Sequence, residues 1–342
     1  MSNVAPVILK TNPHRPVDFK ESALAKVIRE SGNLNVEVKE DGCQVNIVAT
    51  KRNRSASGQT PEGYHVQFLS REGKEFNGLR QLGEILSYDH RWDKVMNEHL
   101  DGGLFGDRGG FLLQAEVLTV DDNGKYKPCA EIAGDLRRME PIPLERLRFV
   151  SFDMIPLDVV RSGEDYEVFQ EVRVGHMLHQ VEAISNRFPE LNIRPVDTTQ
   201  AFSLDHLQKL YEHYRALGKE GAVAKDPLGH WKRGKKTGQW KVKPDDGCDG
   251  TVVGLMWGTP GLANEGKVIG FRVLTEHGVE VDCGGLTEAD KTAHTAAVLK
   301  SGEDIYNGFS CEITYMERLP SGSYRHPNFA RFRGITDPKI KE

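Results

Sequence analysis

No apolar run in the chain approaches the 18 or so residues that a membrane-spanning helix needs. The opening Met-Ser-Asn-Val-Ala-Pro lacks the charged and apolar regions of a secretory leader, so a cytoplasmic location is expected. Cysteine is sparse. Cys43, Cys129, Cys248, Cys283 and Cys311 are odd in number, and no pair has metal-ligand spacing. That pattern excludes a disulfide framework or a zinc ribbon, and it points to reduced thiols. No internal repeat or low-complexity segment is found. Excess positive charge is also missing: 45 Lys and Arg face 50 Asp and Glu, for a net charge of -5. A surface that is basic all over is thereby excluded, and nucleic-acid binding would need a local basic face.

What is present is a soluble, globular composition, with 38% hydrophobic and 28% charged residues. A length of 342 residues favours two domains. Helical patterning runs from about Asp18 to Ser31 and stops at Gly32-Asn33. A strand over 35–38 then leads through Lys39-Glu40-Asp41-Gly42 into a second strand, Gln44 to Ala49. Asp-Gly between two apolar runs reads as a hairpin. Further strands are expected near 66–69, 110–120, 149–156 and 222–224, with helices near 79–100, 166–188 and 203–217. Past Pro244 short β-like runs dominate (250–257, 267–275, 278–283, 309–317), with one helix over 287–300. A small barrel of the five-stranded OB type fits that spacing, which puts domains at 1–243 and 244–342.

Chemistry concentrates in a few places. Lys39 ends a strand beside Asp41-Gly42. Alone, Lys-x-Asp-Gly is equally a surface lysine before a turn. Lys241 and Lys243 are two apart, so on a strand they share a face. Two ammonium groups on one face attract an anion and favour the uncharged form of any amine beside them. Glu116 and Glu220 are acids near strand ends, where a lone carboxylate is ordinarily solvated. Phe152 alternates within an apolar strand. From Lys225 to Lys243 seven basic residues meet one acid, a local balance of +6. Within that stretch His230–Gly238 reads as a flexible surface loop able to track a phosphate backbone.

These segments occur in the order seen in the covalent nucleotidyltransferases, and the chain resembles that superfamily of DNA ligases, RNA ligases and capping enzymes. It looks most like the small ATP-dependent DNA ligases of lytic, short-tailed bacteriophages, from Lys10-Thr11-Asn12-Pro13 to Arg333-Gly334. The resemblance implies an α+β fold. An ATP-grasp-like adenylation domain of antiparallel sheets and helices would precede a C-terminal OB barrel. It implies that Lys39 in Lys-Glu-Asp-Gly becomes adenylylated, with Glu37, Val38, Glu40 and Gln44 around the nucleotide. Arg71 in Ser-Arg-Glu-Gly would contact the nucleotide or nick phosphate, and Glu116 the ribose and metal. Phe152 in Ser-Phe-Asp-Met would stack on adenine, and Glu220 in Glu-Gly-Ala-Val-Ala-Lys would hold metal. Lys225, Lys235, Lys241 and Lys243 would contact ATP. Lys232, Arg233, Lys236, Arg325, Arg331 and Arg333 would meet DNA, the last two approaching pyrophosphate when the barrel closes. ATP and Mg²⁺ are the implied cofactors, and nicked duplex DNA is the partner of a monomeric enzyme. Replication, repair and recombination are the implied settings, in the host-cell cytoplasm if the gene is a phage's.

Two positions depart from the family pattern. Gln44 stands where an arginine is usual, which removes a fixed bidentate cation. Gln114-Ala115-Glu116 replaces Asp-Gly-Glu, leaving only the last acid. Two other readings share these features: an RNA ligase or GTP-using capping enzyme, and a non-catalytic OB-fold nucleic-acid binder.

Overall fold

The computed structural model describes residues 6–52, 63–97, 105–242, 246–315, 317–318, 322–325 and 327–333. The chain divides into two compact units, Met1–Val242 and Lys243–Glu342.

The first unit opens with β1 (Arg15–Asp18), α1 (Glu21–Ser31), β2 (Leu34–Lys39), β3 (Cys43–Arg52) and β4 (Gly63–Leu69). Next come α2 (Asn77–Ser87), α3 (Arg91–Asn97), β5 (Gly110–Thr119), α4 (Cys129–Arg137) and β6 (Leu147–Pro156). It ends with α5 (Leu157–Ser162), α6 (Gln170–Arg187), β7 (Ile193–Pro195), β8 (Thr198–Ala201), α7 (Leu204–Ala216), β9 (Gly221–Lys225) and β10 (Lys235–Val242). The strands form two five-stranded sheets, ordered β1-β10-β9-β2-β8 and β4-β3-β5-β6-β7.

Helix α1 begins at Glu21, later than the periodicity suggests, because Arg15–Asp18 is drawn into parallel pairing with β10. It ends where expected: Gly32 adopts φ 84° and donates its N–H to Ile28 O at 2.9 Å.

The expected hairpin at Lys39–Gly42 does not form. β2 pairs with β8 and β9, whereas β3 pairs with β4 and β5. The segment therefore crosses between the sheets. Gly42 is needed there for close approach rather than for a turn. A Cβ at this position would lie 2.6 Å from Val117 O and 2.7 Å from Leu118 Cδ2. The Cys129 thiol reinforces the contact by donating to Gly42 O at 2.9 Å.

One apolar cluster serves both sheets. Leu34, Val36, Val38, Ala222, Ala224 and Trp240 come from the first sheet, and Val45, Ile47, Ala115, Val117 and Phe149 from the second. Alternate residues of a strand face opposite ways, so burying this set turns the intervening polar residues to the other faces.

The second unit contains β11 (Asp246–Trp257), β12 (Val268–Thr275), β13 (Glu280–Cys283), α8 (Glu288–Ser301), β14 (Ser310–Tyr315), β15 (Glu317–Arg318), β16 (Tyr324–Arg325) and β17 (Asn328–Phe332). Five of these strands form a sheet in the order β13-β12-β11-β14-β17. Its two edges meet in a parallel bridge, Gly284 to Asn328, which curls the sheet toward a barrel. The helix is fixed at its start by a Thr287–Asp290 capping box. The core is aromatic: Phe271 packs against Tyr306, Phe329 and Phe332 at centroid distances of 4.7 to 5.3 Å.

Candidate active site

Strand register assembles the site. Glu37, Val223 and Lys241 are aligned across β2, β9 and β10, and Lys39 is opposite Gly221. Glu37, Lys39, Lys225 and Lys241 therefore share the face of the first sheet turned away from the core, and Asp18 of β1 stands opposite Lys241.

Lys39 ends β2 with its ammonium ion-paired to Glu220. The Glu220 N–H also donates to Lys39 O at 3.1 Å, so main chain and side chain both join the two residues. The Lys39 side chain keeps 24% of its surface exposed, which leaves it reachable. Beside Lys39 stands an acid, Glu220, while Lys241 is ion-paired with Asp18.

Glu116 lies on β5 opposite Gln44 of β3. Burial pushes its carboxyl up to about 8; the charge of Lys39 opposes the shift and that of Glu220 adds to it. Lys39, Glu116 and Glu220 thus lie within electrostatic reach of one another, and Arg71 acts on Glu116 from an exposed position. Two acids crowded around one lysine suit a shared cation. Among the described residues no three or more His, Cys, Asp or Glu side chains converge as a metal cage. Mg²⁺ needs no such cage, since it binds through one or two carboxylates together with substrate phosphates and water.

Phe152 is positioned by a bulge. Gln114 is opposite Asp153 and Ala115 opposite Ser151, so Phe152 is the extra residue and its ring is re-aimed. Lys225 Nζ lies 5.2 Å from the ring centroid and donates to Phe152 O at 3.1 Å, joining the two sheets. Lys225 is also ion-paired with Glu37 at 2.7 Å, both side chains being almost fully buried. Burial raises the Glu37 carboxyl and Lys225 pulls it back. Alongside, Arg173 grips Asp153 through two bonds of 2.9 and 3.0 Å, again buried. The aromatic ring thus lies beside two buried ion pairs.

Several expected contacts are placed differently. Lys225 and Glu37 engage each other within the fold. Glu40 is buried and held by Lys219 at 2.8 Å and Arg194 at 3.0 Å, which anchors the crossing segment. The Val38 side chain is in the core. Gln114 accepts the Trp231 indole N–H at 2.8 Å, giving that departure from the family pattern a packing role. Gln44 remains half-buried beside Glu116.

The basic stretch is not a flexible loop. Trp231 is fully buried, and Lys235–Val242 is strand β10. Arg233 is corrected from a DNA contact to a structural tie. Its Nε donates to Glu164 O, Nη1 to Lys10 O and Thr11 O, and Nη2 to Val159 O and Val160 O. All five guanidinium N–H groups are spent on these carbonyls. Lys235 and Lys241 are ion-paired with Asp18. Lys236 is exposed and Lys232 half-exposed. Lys243 lies outside the described residues.

On the second unit Arg331 is paired with Glu312 at 2.7 Å, and Arg333 with Asp249 at 3.0 Å and Glu312 at 3.3 Å. Arg325 is on β16 opposite Glu317, its side chain outside the described set.

Sequence reasoning missed Asp18, Lys219, Arg194 and the Asp153–Arg173 pair. Only Asp153 carried a signal, as an acid in the middle of a largely apolar strand, where burial requires a partner.

A two-sheet unit that gathers a lysine and two carboxylates, followed by an OB-fold unit, is the fold of the covalent nucleotidyltransferases. The chain belongs to the ATP-dependent DNA ligase family: residues 19–243 match the ATP dependent DNA ligase domain and 244–303 the DNA ligase C-terminal domain. It is 36% identical over 352 residues to the DNA ligase of Enterobacteria phage T3, covering 96% of this chain and 98% of that one. It is 34% identical over 368 residues to the DNA ligase of Escherichia phage T7, with 96% and 98% covered. The solved structure of the bacteriophage T7 ATP-dependent DNA ligase in complex with ATP aligns at a TM-score of 0.62 and 32% identity, covering 95% of this chain and 99% of that one.

Proposed function

We propose that Lys39 is the residue that carries AMP as this ligase seals nicks in duplex DNA. The observation that carries the reading is the contact of the Lys39 ammonium with Glu220, with Glu116 in electrostatic reach of both. Lys39 Nζ, as the free amine, attacks the α-phosphorus of ATP. A nitrogen–phosphorus bond forms and pyrophosphate leaves. The AMP then passes to the 5′-phosphate of a nick, and the adjacent 3′-hydroxyl attacks that phosphate as AMP departs. Each step is an in-line displacement, in which positioning and charge stabilisation supply most of the catalysis.

In this reading Glu220 orients Nζ through its hydrogen bond, and the backbone bond between the two residues fixes their spacing. Lys235, Lys241 and Lys243 neutralise phosphate oxygens. Phe152 stacks on adenine, stiffened by the Glu37–Lys225 pair beside it. Arg71, Lys232 and Lys236 follow the DNA backbone, with Arg325, Arg331 and Arg333 contributed by the OB unit. Glu116 and Glu220 would hold a divalent ion, Mg²⁺ by its preference for hard oxygen ligands, which would screen the triphosphate charge. The enzyme would act as a monomer in the cytoplasm of a host cell.

The test uses ATP labelled at the α-phosphate. The protein should become covalently labelled, Lys39→Ala should not, and the label should move to nicked DNA and be released on sealing. GTP should label poorly and nicked RNA should receive little. Labelling that persists in Lys39→Ala would overturn the assignment.

A further inference from the structure

Asp18 figured in none of the expectations about the site, because its sequence position reads as the start of a helix. The structure makes it the last residue of β1, directly opposite Lys241 in the parallel β1–β10 pair. Its two carboxylate oxygens are divided between two lysines. Oδ1 is 2.7 Å from Lys241 Nζ and Oδ2 is 2.9 Å from Lys235 Nζ. These bonds draw its carboxyl down to about 2, so it is an anion at any working pH. Its side chain is 68% exposed, and the contacts that engage its carboxylate are those two lysines. A carboxylate bridging two ammonium groups makes the same contact that a pair of phosphate oxygens would make.

We propose that Asp18 sets the affinity for ATP: its carboxylate and a nucleotide phosphate compete for the ammonium groups of Lys235 and Lys241. The inference rests on the reading that these two lysines hold ATP. Binding then requires an exchange of partners, since a phosphate gains the lysines only as Asp18 gives them up. Two consequences follow from the physics. Removing the Asp18 charge improves ATP binding by about three- to tenfold, the worth of two exposed ion pairs. The improvement shrinks as salt rises, because the competing pairs are screened.

The experiment is self-adenylylation of the full-length protein, measured across ATP concentrations in low and high NaCl. Asp18→Asn, isosteric and uncharged, should lower KM for ATP by that factor, with the change falling on KM rather than kcat, and the gap should narrow in high salt. Asp18→Glu, which restores the charge, should return KM toward the wild-type value. Should the Asn variant fold poorly, Asp18→Ala reports the same quantity. An unchanged or raised KM in the neutral variants overturns the proposal, the second result making Asp18 an orienting residue. Lys241→Ala and Lys235→Ala keep the two readings apart. If they leave KM at the wild-type value, the assignment of these lysines to ATP fails. If they raise KM while Asp18→Asn has no effect, that assignment stands and only the competition fails.

Discussion

The two units use charge in opposite ways. In the first, acids are buried and paired next to the site: Glu37 with Lys225 and Asp153 with Arg173, both partners enclosed, and Glu40 with the partly exposed Lys219 and Arg194. In the second, the interior is a nest of aromatic rings around Phe271, and the arginines form exposed pairs at its edge. Burying an ion is costly unless a partner compensates it, so the first unit holds its pairs in a fixed geometry that could position a reacting lysine. The second unit draws its stability from apolar burial, which leaves its surface arginines able to exchange partners.

The sharpest way to break this contrast is to strip one partner from a buried pair. Asp153→Ala should cost about 3–5 kcal/mol of unfolding free energy, because Arg173 is left buried and uncompensated. Denaturant unfolding reads this, and the double variant Asp153→Ala with Arg173→Met should recover part of the loss. Phe271→Ala probes the aromatic nest and should cost a comparable 3–5 kcal/mol or so, confined to the OB unit.

A smaller effect is expected at the sheet crossing. In Gly42→Ala the added methyl meets Val117 O at 2.6 Å. The strain should cost about 1–3 kcal/mol and slow labelling of Lys39, since the crossing segment must shift.

The raised Glu116 carboxyl makes a pH prediction. Between its ordinary value of 4.5 and its folded value of about 8, the native state holds a proton that the unfolded chain has lost. Stability from this group is therefore full below about 4.5 and is lost as pH rises through about 8. Glu116→Gln should flatten that decline in thermal melts. In the wild type, added Mg²⁺ should restore stability above pH 8, and EDTA should remove the restored part.

The smallest effect belongs to the surface pairs. Arg331→Ala should change unfolding free energy by less than about 1 kcal/mol. Any loss it causes in labelling or sealing would then be functional, which is where a large effect would sharpen the contrast between the units.

Much of this was legible in the chain. The Gly32 stop, the strand ending at Lys39, the helices over 170–187 and 204–216 and the short-stranded C-terminal region are local patterns of period and punctuation. Lys39, Glu116, Glu220 and Phe152 stood out because their residue types suit one chemistry in one order. Other features were not legible. Lys-Glu-Asp-Gly has the composition of a hairpin, yet Gly42 is there because a Cβ would lie 2.6 Å from Val117 O. Arg233 looks like any basic surface residue until five carbonyls from two distant stretches, 10–11 and 159–164, converge on it.

The sequence by itself determined the kinds of element, the order of the chemical groups and the family. Periodicity, glycine punctuation and residue chemistry are properties of neighbours along the chain. Only the tertiary structure decided partners: which acid meets Lys39, which lysines meet Asp18, and which charges are spent inside the fold. Those depend on register between strands far apart in sequence and on burial, which converts a side chain's charge from a solvated feature into one that must find its counterpart.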